Sequence, residues 1–75
     1  MALFFVSAYI TNQIDESAFE ATASWWTDWK FKCYVSDELF RQNIRPSVGD
    51  LVILEADSDL KDVKGRYRYY IVKVL

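Results

Sequence analysis

The sequence contains no histidine, one cysteine and two glycines among its 75 residues. The absence of histidine excludes histidine-based acid–base catalysis, histidine metal sites and Cys/His or Ser/His nucleophilic pairs. Neither Gly49 nor Gly65 lies in a Gly-rich phosphate-binding loop. Carboxylates that are close in the sequence, such as Asp15 with Glu16 and Asp57 with Asp59, lie in predicted polar loops, where solvated charge is the ordinary interpretation. We therefore predict no enzymatic activity, no cofactor and no metal site.

The single cysteine, Cys33, excludes an internal disulfide and favours a reducing compartment. The apolar run Ala2–Val6 is short, and no basic residue precedes Lys30. A signal peptide needs a positive start and a longer apolar stretch, and a membrane span needs about 20 apolar residues. We therefore expect a cytoplasmic protein that makes no membrane contact.

The net charge of -2 is unevenly distributed along the chain. Residues 1–29 carry four acidic and no basic side chains, whereas residues 30–75 carry all nine Lys and Arg against seven acids. The two parts therefore have charges of −4 and +2. The sequence allows a local basic face on an acidic protein.

We interpret residues 1–75 as one domain, because the length allows only one hydrophobic core and no linker or repeat interrupts the chain. Ser36 is placed as the N-cap of a short helix that ends near Asn43, and Gly49 with Asp50 is placed as a turn. Apolar and β-branched alternation predicts strands at Ala2–Thr11, around residues 29–35, at Leu51–Glu55 and at Arg66–Leu75.

Residues 18–26 fit two patterns. Ser17 with Glu20 has the form of a helical capping box, while Phe19 and Ala21 begin an alternation that is typical of a strand. We favour the strand, because the strand that follows it needs a neighbour, with Thr27 and Asp28 as the turn between them. In this interpretation Trp25 and Trp29 belong to the core and Trp26 points outward.

The resulting order is three strands, a short helix and two strands. This order predicts a mostly β fold, a five-stranded OB-type barrel with one short helix between strands 3 and 4. An SH3-type barrel is the alternative, although it usually lacks a helix at that place.

A resemblance to a known family begins at about Arg41. The chain resembles the second half of bacterial translation initiation factor 1 and the related S1-type OB domains. The matching residues are Arg41, Asn43, Ile44, Arg45, Gly49, Asp50, Val52, Glu55, Asp59, Leu60, Lys64, Gly65 and Arg66. The resemblance implies RNA contacts by Arg41, Arg45, Lys64 and Arg66. The tryptophan cluster and the final YYIVKVL depart from the family, so the chain looks like a divergent OB module.

The third strand supplies further candidates, because Lys30, Lys32 and Tyr34 alternate with inward-pointing Phe31 and Cys33. Aromatic rings stack on unpaired bases and cations contact phosphates in OB domains. We expect the outer side of the third strand to form one wall of a ligand-binding groove. The other side chains that border this groove are Trp26, Lys64, Arg66 and Arg68. The alternative is that Lys30 and Lys32 form only the solvated face of an amphipathic strand.

Two functional hypotheses follow. The first is binding of single-stranded RNA or DNA. The second is a protein-interaction module, such as a small phage or mobile-element inhibitor that docks on a host protein. It is favoured by the apolar residues on both sides of the last two strands, which also suggest a homodimer through the last strand.

Overall fold

The computed structural model describes residues 2–61 and 65–75. Five strands and one helix follow one another along the chain. They are β1 (Leu3–Gln13), β2 (Ala18–Ala23), β3 (Lys30–Val35), α1 (Asp37–Arg41), β4 (Leu51–Asp57) and β5 (Tyr69–Val74). The strands form a closed barrel in the order β1-β2-β3-β5-β4. The mostly β, five-stranded barrel with one helix between β3 and β4 is therefore confirmed.

Closure depends on β1 and on the pairing of β3 with β5. The long β1 pairs antiparallel with β2 through its second half and with β4 through its first, and its register shifts between Ile10 and Asn12. Such an irregularity increases the local bend and twist of a strand, which barrel closure requires. The β3–β5 pair is parallel and short, from Cys33 opposite Tyr69 to Val35 opposite Ile71.

Small and large side chains share the interior. Phe19 and Leu54 are completely buried, and so are Ala8, Ala21 and Ala23. A narrow barrel can only be filled when small residues lie beside large ones at successive levels. Residues 18–23 of the segment that was ambiguous in the sequence therefore form strand β2 of the barrel wall.

The turn before β2 explains why the capping-box interpretation does not hold. The Asp15 carboxylate accepts hydrogen bonds at 2.8 Å from the backbone N–H groups of Ser17 and Ala18. These bonds close an Asx-type turn, so Ser17 ends a loop instead of starting a helix. The hydrogen bond from the Ser17 N–H is the largest cause of the lowered pKa of Asp15.

Helix α1 has the predicted N-cap. The Ser36 hydroxyl accepts a hydrogen bond from the Leu39 N–H at 3.3 Å. At the other end Asn43 has a positive φ of 59°, and the Ile44 N–H donates to the Leu39 carbonyl at 2.9 Å. This is the Schellman arrangement, with asparagine in the left-handed position. Leu39 is the buried residue of the helix.

Some predicted boundaries differ from the structure. β4 continues to Asp57, two residues further than expected, because Phe4 and Leu3 of β1 pair with Ala56 and Asp57. β5 starts at Tyr69 instead of residue 66, since Tyr67 pairs with Lys61 in a separate bridge within the β4–β5 connection. The turn at Gly49 and Asp50 is confirmed, with Gly49 at φ 96°.

We predict that Ser36→Ala lowers the free energy of unfolding by about 1 kcal/mol, because the Leu39 N–H loses its acceptor. Urea denaturation followed by circular dichroism measures this change. Ser36→Asp is the control and should stay close to the wild type, since aspartate is an equally good N-cap. Equal losses in the two variants would contradict the capping role.

A second prediction concerns Cys33, which is fully buried and whose thiol donates to the Phe19 carbonyl at 3.4 Å. Burial raises the pKa of this thiol to about 12. We expect no reaction with iodoacetamide at pH 8 in the native protein and full reaction after unfolding in urea. Stoichiometric alkylation of the native protein would contradict the prediction.

The same pKa shift fixes the sign of a pH dependence. An unfolded thiol has a pKa of about 8.5, so the folded state retains a proton that the unfolded state loses above that pH. The contribution of Cys33 to stability is complete below about pH 8.5 and is lost as the pH rises toward 12. Cys33→Ala should remove this part of the alkaline destabilisation in urea titrations.

Candidate nucleic-acid interface

The outer side of β3 carries the predicted candidates. Lys30 and Lys32 are exposed and Tyr34 is half-buried, while Phe31 and Cys33 are buried. The alternation of a strand therefore places the three candidates on one side of the sheet. They lie next to the residues that precede β5, because β3 and β5 are neighbours in the barrel.

A groove of about 540 Å³ lies between β3 and the start of β5. We call it the β3–β5 groove. Its described lining residues are Trp29, Lys30, Phe31, Lys32, Tyr34, Gly65, Arg66, Tyr67, Arg68 and Tyr69. Four of them are Lys or Arg, and no Asp or Glu is among them. The groove is therefore cationic although the whole chain is acidic.

Two of these cations lie near the ring of Tyr34. The Lys32 ammonium is 5.7 Å from the centroid of the Tyr34 ring, and the guanidinium carbon of Arg68 is 6.0 Å from it. The ring of Tyr70, on the neighbouring strand, lies 6.3 Å away. Tyr34 thus presents an aromatic surface inside a positively charged setting.

A row of rings connects the groove with the β2–β3 hairpin. Trp29 contacts Phe31 at 5.0 Å between ring centroids, and Phe31 contacts Tyr69 at 4.6 Å. Trp25 and Trp26 lie edge-on to Trp29, at 5.8 and 6.5 Å. The exposed indoles of the hairpin are therefore continuous with the wall of the groove.

The prediction that Trp25 and Trp29 belong to the core is wrong. Trp25 is 61% exposed and Trp29 38% exposed. β2 ends at Ala23, so its alternation does not extend to Trp25, and Trp29 precedes β3. Trp26 is exposed as expected; it contacts Trp29 but does not itself line the groove.

The remaining candidates divide between two places. Arg66 and Arg68 line the groove. Arg41 and Arg45 do not: the Arg41 side chain donates to the Asp37 carbonyl, and the Arg45 guanidinium stacks on the Phe40 ring at 3.9 Å. Their role in RNA contact stays a prediction. Lys64 lies outside the described residues.

Sequence reasoning missed two members of this region. Lys61 was not among the candidates, yet its ammonium lies 5.0 Å from the centroid of the ring of Tyr67, which lines the groove. Trp29 was assigned to the interior, yet it lines the groove. A cluster of three tryptophans around a predicted turn was a signal for exposure, since a turn offers no interior to fill.

Carboxylates border the groove on the β2 side. Glu20 lies opposite Lys32 in the β2–β3 pairing. Asp15 has its pKa lowered, chiefly by the Ser17 N–H and to a smaller extent by Lys32. These acids mark the edge at which a polyanion would be repelled.

Residues 2–61 and 65–75 contain no group of three or more Cys, Asp or Glu that could hold a metal ion. No helix in the same residues has the length and apolar character needed to cross a membrane.

No protein-family model matches the chain, and a search of curated proteins finds none that matches it.

Proposed function

We propose that this protein binds single-stranded nucleic acid in the β3–β5 groove. The observation that carries the proposal is the convergence of four cations, Lys30, Lys32, Arg66 and Arg68, with the rings of Trp29 and Tyr34 in a groove whose described lining contains no acid. Cations that neutralise phosphates supply most of the sequence-independent affinity for nucleic acids. Rings beside them supply stacking surfaces for bases.

The ligand of this proposal is an unpaired strand because of the rings. Stacking on a protein ring requires a base whose face is accessible, and bases in a duplex are already stacked on their neighbours. Tyr34 lies within the cationic part of the groove, and Trp29 lies at its hairpin end. A strand that follows the groove can therefore place phosphates on the cations and bases on these rings.

The net charge of -2 does not oppose this proposal. At physiological salt the Debye length is about 8 Å, so charges on remote parts of the surface are largely screened. A phosphate in the groove is within that distance of its cations. Binding is then governed by the local charge, and a strong dependence on salt follows.

A second candidate is a protein-interaction module. The observation that favours it is the set of exposed apolar side chains on the outer side of β1 and β5, including Phe5 and Tyr70. The two candidates differ in the surface they use, so variants of the groove distinguish them. A cytoplasmic location is part of either proposal and is supported by the single, buried thiol of Cys33.

The first test uses Lys30→Gln/Lys32→Gln and a fluorescently labelled oligothymidylate in anisotropy titrations. We expect weaker binding at low salt and a log–log salt slope reduced by about 1.4, or 0.7 for each lost phosphate contact. Lys73→Gln is the matched control, because Lys73 is an exposed strand lysine that does not line the groove. Undetectable binding by the wild type at low salt would end the proposal.

The second test separates stacking from charge. Tyr34→Leu keeps an apolar side chain on β3 and removes the ring, so we expect affinity to fall about 5- to 160-fold, which corresponds to about 1–3 kcal/mol per base. The salt slope should not change. Tyr9→Leu is the control, since Tyr9 is 45% exposed on β1 and away from the groove lining. Equal effects of the two variants would contradict stacking on Tyr34.

A further inference from the structure

A second surface lies on the outer side of β1, β4 and β5, near the start of β1. Phe5 of β1 lies opposite Glu55 of β4, which lies opposite Tyr70 of β5, so the three form one row across the barrel wall. Leu3 is 47% exposed and Phe5 59% exposed. We call this surface the β1–β4–β5 face. Exposed apolar area of this kind is typical of interaction sites.

The β1–β4–β5 face contains a depression of about 480 Å³. Its described lining residues are Leu3, Glu55, Ala56, Asp57, Leu60, Lys61, Arg68 and Tyr70. Leu60, one of these lining residues, is 66% exposed. The face therefore combines a depression of mixed lining with a largely exposed apolar side chain.

The charges of the depression differ from those of the β3–β5 groove. Two carboxylates, Glu55 and Asp57, come from β4, and two cations, Lys61 and Arg68, come from the β4–β5 connection. The carboxylates would repel phosphates, so this surface does not continue the proposed nucleic-acid site. The carboxylates lie on β4 and the cations on the connection that leads into β5, so the depression suits an occupant with the reverse arrangement of charges.

We infer that the occupant is a second copy of this chain, which forms a two-fold dimer through the β1–β4–β5 face. A two-fold interface uses the same patch on both copies, so the patch must complement itself. In this dimer the two-fold axis lies in the plane between the two copies, along the line that separates β4 from β5. It places the carboxylates of one copy opposite the cations of the other. The same operation brings Leu60 of each copy toward the depression of the other copy.

The ion pairs and the apolar contacts of this interface contribute differently to the binding free energy. The ion pairs at its rim contribute mainly to orientation, because surface pairs are worth little. The apolar contacts of Leu60, Leu3 and Tyr70 supply the main part of the affinity, since they leave water on association. The apolar contacts and the ion pairs are therefore tested with different variants.

The experiment is sedimentation velocity of the nucleic-acid-free chain over a range of concentrations. We expect a concentration-dependent dimer whose dissociation constant rises about 30-fold in Leu60→Glu, the size typical of a central interface residue. Val48→Glu is the matched control, because Val48 is 62% exposed in a turn outside this face and receives the same charge. Leu60 and Val48 are both exposed, so neither variant alters the core.

A charge-reversal series tests the assigned contacts. Glu55→Lys should weaken the dimer, and Glu55→Lys combined with Lys61→Glu should restore it. A chain that sediments as a monomer at about 1 mM overturns the inference, as does a dimer whose affinity Leu60→Glu leaves unchanged. Because no oligonucleotide is present, these results are independent of the proposed nucleic-acid binding.

Discussion

The parallel pairing of β3 with β5 is the constraint on which the rest of this structure depends. Three residue pairs, from Cys33–Tyr69 to Val35–Ile71, join the last strand to the third and close the barrel. Parallel neighbours cannot be joined by a tight turn, so the chain between them must cross the barrel. Helix α1 and β4 form that crossover, and the connection before β5 is brought beside the outer side of β3.

This closure assembles the groove from residues that are distant in the sequence. The buried members of β3, Phe31 and Cys33, fix which side chains of that strand face outward, since successive residues alternate. Tyr69 is buried against Phe31, with ring centroids 4.6 Å apart, and this contact fixes the orientation of β5. Lys32 and Arg68 are thereby both held near the ring of Tyr34. The core thus determines the arrangement of the surface charges.

The sequence predicted those features that depend on local patterns. The alternation of β3, the N-cap at Ser36 and the turn at Gly49 are local, and the structure confirms all three. The sequence also predicted that Lys30 and Lys32 point away from the interior, because the alternation of β3 alone separates them from its buried residues. Local sequence patterns were sufficient for features that depend on one strand, one helix end or one turn.

The features that the sequence did not predict depend on where a strand stops. Trp25 continued the alternation of β2 in the sequence, yet the strand ends at Ala23, where the Ala23 N–H donates to the Trp29 carbonyl at 2.9 Å and the hairpin begins to turn. The start of β5 was placed too early because Tyr67 and Tyr69 share an alternation, although Tyr67 pairs with Lys61 and Tyr69 with Cys33. Both errors concern pairing partners, which composition and periodicity do not specify.

Arg68 connects the two proposed surfaces, since it lines both the β3–β5 groove and the depression of the β1–β4–β5 face. Carboxylates of a second copy placed near Arg68 would reduce the positive potential that a phosphate meets in the groove. By linkage, the same coupling free energy would make a bound strand weaken the dimer. If both proposals hold, dimerisation and nucleic-acid binding oppose each other, and the strength of that opposition is set by one guanidinium shared between two neighbouring sites.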